Sequence, residues 1–232
     1  MLNIHQSSYN LFQQKTKIIW KEEGRCAVID PGFSNEAEEK DFFSFLEARA
    51  LVPEAVLLTH GHIDHIYGVK RVQDRYGIPV YMHPADKPVL ETSRETAAQL
   101  GISVPDISFT ATDIAEGDII ETAGISLEVI WTPGHTPGGV CYLDREDRIL
   151  FSGDTLFAGT IGRTDFRYSE YDDEIRSIME KLVIIDGDIA LYPGHGQEST
   201  IGWERTHNPF LEPFNEPEEE LDPDAEPIII RG

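Results

Sequence analysis

The segment Thr59–Gly68, THGHIDHIYG, places three histidines and an aspartate within a few residues. His60 and His62 are two apart on an extended stretch, so both imidazoles can point to one side. Asp64 and His65 open a helix and point together toward a neighbouring spot. Such a spacing suits two adjacent metal ions. A catalytic zinc takes about three protein ligands and leaves a position for water, so a pair of ions needs roughly six or seven donors, one of them shared. Three downstream motifs complete that number: PGHTPGG at 133–139, FSGDTLF at 151–157 and YPGHGQ at 192–197. The candidate ligands are His60, His62, Asp64, His65, His135, Asp154 and His195. A carboxylate bridges where a neutral imidazole does not, which makes Asp154 the natural shared ligand. A structural zinc site is disfavoured, because it closes with four sulfur or nitrogen donors, whereas this set mixes oxygen and nitrogen in excess of four. Glycine beside His135, Asp154 and His195 lets the backbone pass close to an ion. His83, in YMHPAD, reads as a packing residue, and His5 and His207 as exposed loop residues.

Each candidate ligand lies at or just beyond the end of an expected strand. LFQQKTKIIW and RCAVIDPG, separated by KEEG, predict an antiparallel hairpin. NEAEEKDFFSFLEARAL predicts a helix capped by Asn35, with Phe42, Phe45, Leu46 and Arg49 on one side. AVLLTH is a strand ending at the histidine motif, DHIYGVKRVQDRYG a helix closed by Gly77, and IPVYMH the next strand. Residues 84–106 read as a less regular helical cover over one side of the site. From 107, the runs ISFTAT, DIIETAG, ISLEVIWTPG, GGVCYLD and RILFSGD are short strands, EYDDEIRSIMEKLV is an amphipathic helix, and IALYPG is a last strand. Two strand-rich blocks with flanking helices predict two packed sheets with helices outside: one α+β domain of four layers over residues 1–209.

Composition narrows the function. The 232 residues carry 19 basic and 42 acidic side chains, a formal net charge of −23, and no basic patch interrupts the excess, so nucleic acid is not an expected partner. No apolar run of about 18 residues and no secretory signal pattern is present, so the sequence predicts no membrane span and a cytoplasmic protein. Cys26 and Cys141 sit in apolar runs and read as buried thiols. The acidic, proline-rich segment 210–232 reads as an extended solubilising appendage.

In their order, THGHIDHIYG, TPGHTPGG, FSGDTLF and YPGHG resemble the metallo-β-lactamase fold superfamily, most closely its glyoxalase II-like hydrolases, over about residues 9–209. The resemblance implies an αβ/βα sandwich of two mixed sheets flanked by helices. It also implies one ion on His60, His62 and His135, another on Asp64, His65 and His195, and Asp154 between them. Zinc is the expected ion, with iron or manganese suited to the same donors. The activity implied is thioester hydrolysis of a small acyl-thiol of the hydroxyacylglutathione type by a metal-bridging hydroxide, with Asp64 orienting the nucleophile or taking its proton. A thiolate needs no dedicated general acid. Two features depart from glyoxalase II. Little beyond the acidic tail follows His195, where that family has a helical region supplying part of the glutathione site. GTIGRTDFRYSEYDD replaces its basic-aromatic stretch and is more similar to small glyoxalase II-like proteins and persulfide dioxygenases. In it Arg163 is a candidate for holding a substrate carboxylate, or equally for shaping the loop by pairing with Asp165. The alternative function is a mononuclear iron persulfide dioxygenase using His60, His135 and Asp154.

Overall fold

The computed structural model describes residues 1–99 and 106–212. Six strands, β1 (Asn3–Tyr9), β2 (Gln14–Trp20), β3 (Arg25–Ile29), β4 (Val52–Leu57), β5 (Val80–Met82) and β6 (Ala111–Asp113), form one sheet in chain order. β1 to β3 pair antiparallel and β3 to β6 parallel. Parallel neighbours need crossovers, supplied by α1 (Glu36–Ala48), by α2 (Ile63–Ile66) with α3 (Val69–Tyr76), and by α4 (Lys87–Gln99).

The second sheet contains β7 (Ile119–Thr122), β8 (Ile125–Trp131), β9 (Val140–Asp144) and β10 (Ile149–Gly153). After a two-stranded ribbon, β11 (Leu156–Phe157) with β12 (Thr160–Ile161), and α5 (Tyr171–Ser177), which runs into a π-helical turn at Ile178–Leu182, it is completed by β13 (Ala190–Pro193) and β14 (Ser199–Thr200). Its order is β14-β13-β10-β9-β8-β7, with β10 parallel to β13. α6 (Ile201–His207) follows.

Alternation along the central strands builds three apolar layers. Cys26, Val28 and Val56 face α1 and α3 together with Phe42, Phe43, Leu46, Val69 and Val72. Ala27, Ile29, Ala55 and Leu57 face the other sheet and meet Leu127, Val129, Val140, Tyr142 and Phe151. Cys141, Leu143, Leu150 and Leu191 turn outward onto Ile175, Ile178 and Leu182. Helix, sheet, sheet, helix is the four-layered α+β arrangement that the two strand-rich blocks predict. Both cysteines are buried and free.

Several local expectations shift. β1 is an additional strand, unmarked in the sequence because NIHQSSY is polar and lies at the sheet edge, half-buried. LFQQKTKIIW is divided by a turn with positive φ at Asn10 and Gln13, so β2 begins at Gln14. His5 is not in a loop but on β1, stacked on Phe45 with ring centroids 3.6 Å apart, and His207 ends α6 stacked on Trp203. The helix expected from Asp64 breaks at Tyr67 and Gly68; a Cβ at Gly68 would lie 2.4 Å from the Phe33 ring. Asn35 caps α1, accepting from the amides of Ala37 and Glu38, but Phe43 rather than Phe45 is the more deeply buried. Leu211, just past the expected domain end at 209, is fully buried, and the tail from 213 lies outside the described residues. Among the described residues no helix is long and apolar enough to cross a membrane.

Candidate metal centre

All the candidate ligands arrive at one edge of the sandwich. His60 and His62 follow β4, Asp64 and His65 lie in α2, His135 follows β8, Asp154 follows β10 and His195 follows β13. Their ligand atoms fall into three overlapping groups, each within 4.8 Å: His60, His62 and His135; His60, His65 and Asp154; Asp64, His65 and His195. Asp154 reaches both ends, with Oδ1 3.4 Å from His65 Nε2 and Oδ2 3.7 and 3.5 Å from His135 Nε2 and His195 Nε2.

Hydrogen bonds behind the rings decide which nitrogen faces inward. His135 Nδ1 is 2.7 Å from the Arg163 carbonyl and His195 Nδ1 is 3.0 Å from the Phe12 carbonyl. A carbonyl only accepts, so both rings carry a proton on Nδ1, and the neutral form of each turns its Nε2 lone pair inward. His65 Nδ1 donates to Asp30 Oδ2 at 2.9 Å. Thr59 Oγ1 spends its single proton on Asp30 Oδ2 at 2.6 Å, so His60 Nδ1, 3.1 Å away, must donate to it. His60 Nε2 is then buried with no hydrogen-bond partner among the described residues, an expensive state unless a cation takes its lone pair. The donors therefore fit a metal. With zinc–nitrogen bonds of about 2.0–2.1 Å, tetrahedral ligand atoms lie roughly 3.3 Å apart. His65 Nε2 and His195 Nε2 are 3.3 Å apart, and His62 Nδ1 and His135 Nε2 are 2.9 Å apart.

The electrostatics agree. Burial, then the neighbouring histidines, push His60 well below the usual imidazole range; burial, then His135, push His62 to about 3. Burial lowers His135 as well. Burial also acts on Asp154, but in the opposite direction, and His65 overcomes it to hold the carboxylate well below its usual range. His65 is raised, since Asp154, Asp64 and Asp30 outweigh its burial. One group thus offers neutral imidazoles, while the other centres an imidazolium among carboxylates, where a cation would displace its proton.

Glycines serve this packing closely at two points. A Cβ at Gly194 would lie 2.2 Å from Asp154 Oδ1, and Gly134, at φ +150, would meet the backbone of Glu174 at 2.3 Å.

The sequence pattern does not reveal the residues that orient the ligands. Asp30, at φ +48, receives both Thr59 bonds and His65. Glu174 accepts the His135 amide at 2.8 Å, and burial pushes it up to about 8. Lys17, wholly buried, donates to the carbonyls of Pro193 at 2.7 Å and Lys15 at 2.9 Å, steadying the His195 loop from below. Asp30 is a lone acid after an apolar run, Glu174 one of several acids in EYDDEIRS and Lys17 one of several polar residues in QQKTK, and the segments they brace lie far away in the chain.

Burial depresses Lys17 from 10.5 to about 8, against the pull of Asp30 and Asp154. The contribution of a depressed lysine to stability is present above 10.5 and lost as pH falls through 8. Relative to a Lys17→Met variant, the wild type should therefore gain up to about 3 kcal/mol between pH 8 and 10.5. Urea denaturation of both chains in chelator measures this. A flat difference over that window would mean that Lys17 titrates normally.

Beside the ligands opens a cavity of about 800 Å³, lined by Phe12, Ile63, Val89, Phe157 and Phe166 on its apolar side and by Arg163 and Arg167. Arg163 forms a two-point ion pair with Asp165 at 3.0 and 2.7 Å and lies over the Phe166 ring. The loop-shaping pair is thus formed, on the cavity wall. Arg167 lies over Tyr168 and forms no ion pair among the described residues. His83, stacked on Trp131, stands outside this cavity.

The family model of the metallo-beta-lactamase superfamily matches residues 10–195. The hydroxyacylglutathione hydrolase GloC of Haemophilus influenzae is 37% identical over 216 residues, 90% of this chain and 98% of that protein. The crystal structure of the BLEG-1 B3 metallo-beta-lactamase is similar with a TM-score of 0.82 at 32% identity, covering 91% of this chain and 99% of that one. That of TTHA1623 in a di-iron-bound form has a TM-score of 0.81 at 31% identity, covering 89% and 100%. With the four layers and the ordered ligand motifs, these matches make the chain a member of the metallo-beta-lactamase superfamily of metallo-hydrolases.

Proposed function

We propose that the protein is a dinuclear metal-dependent thioesterase acting on a small acyl-thiol of the hydroxyacylglutathione type. His60, His62 and His135 hold one divalent ion, Asp64, His65 and His195 the other, and Asp154 both. The observation that carries this reading is the convergence of bare imidazole nitrogens, His60 Nε2 without any other partner, around the Asp154 carboxylate. When bound, such a pair of ions supplies an activated water and polarises a carbonyl. Asp64 faces the same space, 3.2 Å from His195 Nε2, and orients the attacking water.

The cavity supports a thioester in particular. Besides the ligands, the described residues of its lining offer only Arg163, Arg167 and Tyr168 as ionisable side chains, with no carboxylic acid or further histidine among them to protonate a leaving group. A thiolate, from a thiol of pKa about 8.5, departs without that help; an amide nitrogen does not. Arg163 and Arg167 face an anionic group on the substrate, Arg167 the more freely because Asp165 already occupies Arg163. Arg167→Ala should raise KM for an anionic acyl-thiol about tenfold at nearly unchanged kcat, as expected for lost uniform binding. Arg163→Ala should do less.

The decisive experiment is metal quantification followed by a screen of acyl-thiol esters, a persulfide and a β-lactam. Two ions per chain, zinc or the iron of TTHA1623, with thioester cleavage is the expected result. One iron per chain with persulfide-dependent oxygen uptake, the alternative built on His60, His135 and Asp154, would overturn the proposal. So would β-lactam turnover that matches the best thioester.

A further inference from the structure

Asp86 closes the short turn Pro84–Asp86 between β5 and α4, and its side chain is wholly buried. Oδ2 accepts the Gly61 amide at 2.6 Å and the Thr136 hydroxyl at 3.0 Å; Oδ1 accepts the Gly138 amide at 2.6 Å. No ion pair with Asp86 occurs among the described residues, so three neutral donors hold a carboxylate that burial disfavours. Gly61 lies between His60 and His62, and Thr136 follows His135. A Cβ at Gly138 would stand 2.5 Å from the Asp86 amide, so the close approach needs that glycine. From α4, Ser93 Oγ donates to the Gly61 carbonyl at 2.9 Å, fixing the next peptide of the same residue.

We propose that Asp86 is the positioning residue that holds the loop after β4 and the loop after β8 at ligand distance from each other, and so sets the affinity of one metal position only. The two loops leave different sheets, and His62 and His135 meet across them at 2.9 Å. One backbone hydrogen bond joins the loops at their base, Val140 N to the Thr59 carbonyl at 2.8 Å, and Asp86 ties the stretches that carry the histidines, Gly61 to Thr136 and Gly138. No bond of Asp86 reaches the other group: His65 is oriented by Asp30, and His195 by the Phe12 carbonyl and the loop above Lys17. Asp86 does not line the cavity, so it acts through the loops it holds.

The inference rests on the two-ion reading, and chelator competition on the full chain loaded with Zn²⁺ separates the two. In Asp86→Asn, where an amide NH₂ must face a donor, one ion should bind about 10- to 100-fold more weakly while the other holds, the range typical of residues that orient metal ligands. His62→Ala should lose the same ion, and adding Asp86→Asn to it should weaken the remaining ion no further. Thr136→Val, which deletes only the 3.0 Å bond, should shift the same ion by a smaller factor and serves if Asp86→Asn does not fold. Equal weakening of both ions, or of neither, would overturn the proposal. A wild-type chain holding a single ion would overturn the two-ion reading instead; the role of Asp86 would then stand only if Asp86→Asn weakens that ion.

Discussion

Asp154→Ala is expected to lower turnover by at least about a thousandfold and to reduce the ions held per chain, while far-UV circular dichroism stays that of the wild type. Even outer partners of metal ligands are worth about 10- to 100-fold, and this carboxylate stands closer in. It approaches histidines of both outer groups, His65 and His195 from one and His135 from the other. Removing it leaves His65 with Asp30 and Asp64 as counter-charges, so the fold keeps a compensated core. The fold also survives because Asp154 lies in the turn after β10 instead of packing in any of the three apolar layers. Asp154→Asn should fall between, since an amide keeps the shape and loses the charge. Unchanged turnover, or unchanged metal content, would refute the assignment of the shared ligand.

The second large effect is on stability. Stripping the ions should lower the melting temperature by about 8–16 °C for each ion lost. An ion present at about a thousand times its Kd contributes about 4 kcal/mol, and a chain of this size shifts about 2–4 °C per kcal/mol. The structural reason is the crowding of Asp30, Asp64 and Asp154 around His65 with the unpartnered His60 nitrogen beside them. Differential scanning calorimetry with chelator, then with Zn²⁺ restored, checks it. A melting temperature that stays put after metal analysis shows the ions gone would count against a buried centre coupled to the fold.

Ligand chemistry was legible because it is local. HGHIDH, the two PGH loops and SGD state their residue types and their glycines within a few positions, and the short alternating runs around them foretell two sheets with outer helices. β1 was not legible, since a polar edge strand has no buried face to impose alternation on its sequence. The domain extends slightly past 209: Leu211, beside Phe210 at the head of the acidic segment, is fully buried in the outer apolar layer.

The sequence by itself determined which atoms can bind a cation and the order in which they occur, because donor type is a property of each side chain. Only the tertiary structure decided how those atoms are presented. Asp30 behind His65, the Arg163 and Phe12 carbonyls behind His135 and His195, and Asp86 between Gly61 and Gly138 join segments far apart in the chain. Whether an imidazole turns a bare nitrogen toward its neighbours depends on what stands behind its ring, and that is settled by the packing of two sheets, not by spacing along one strand.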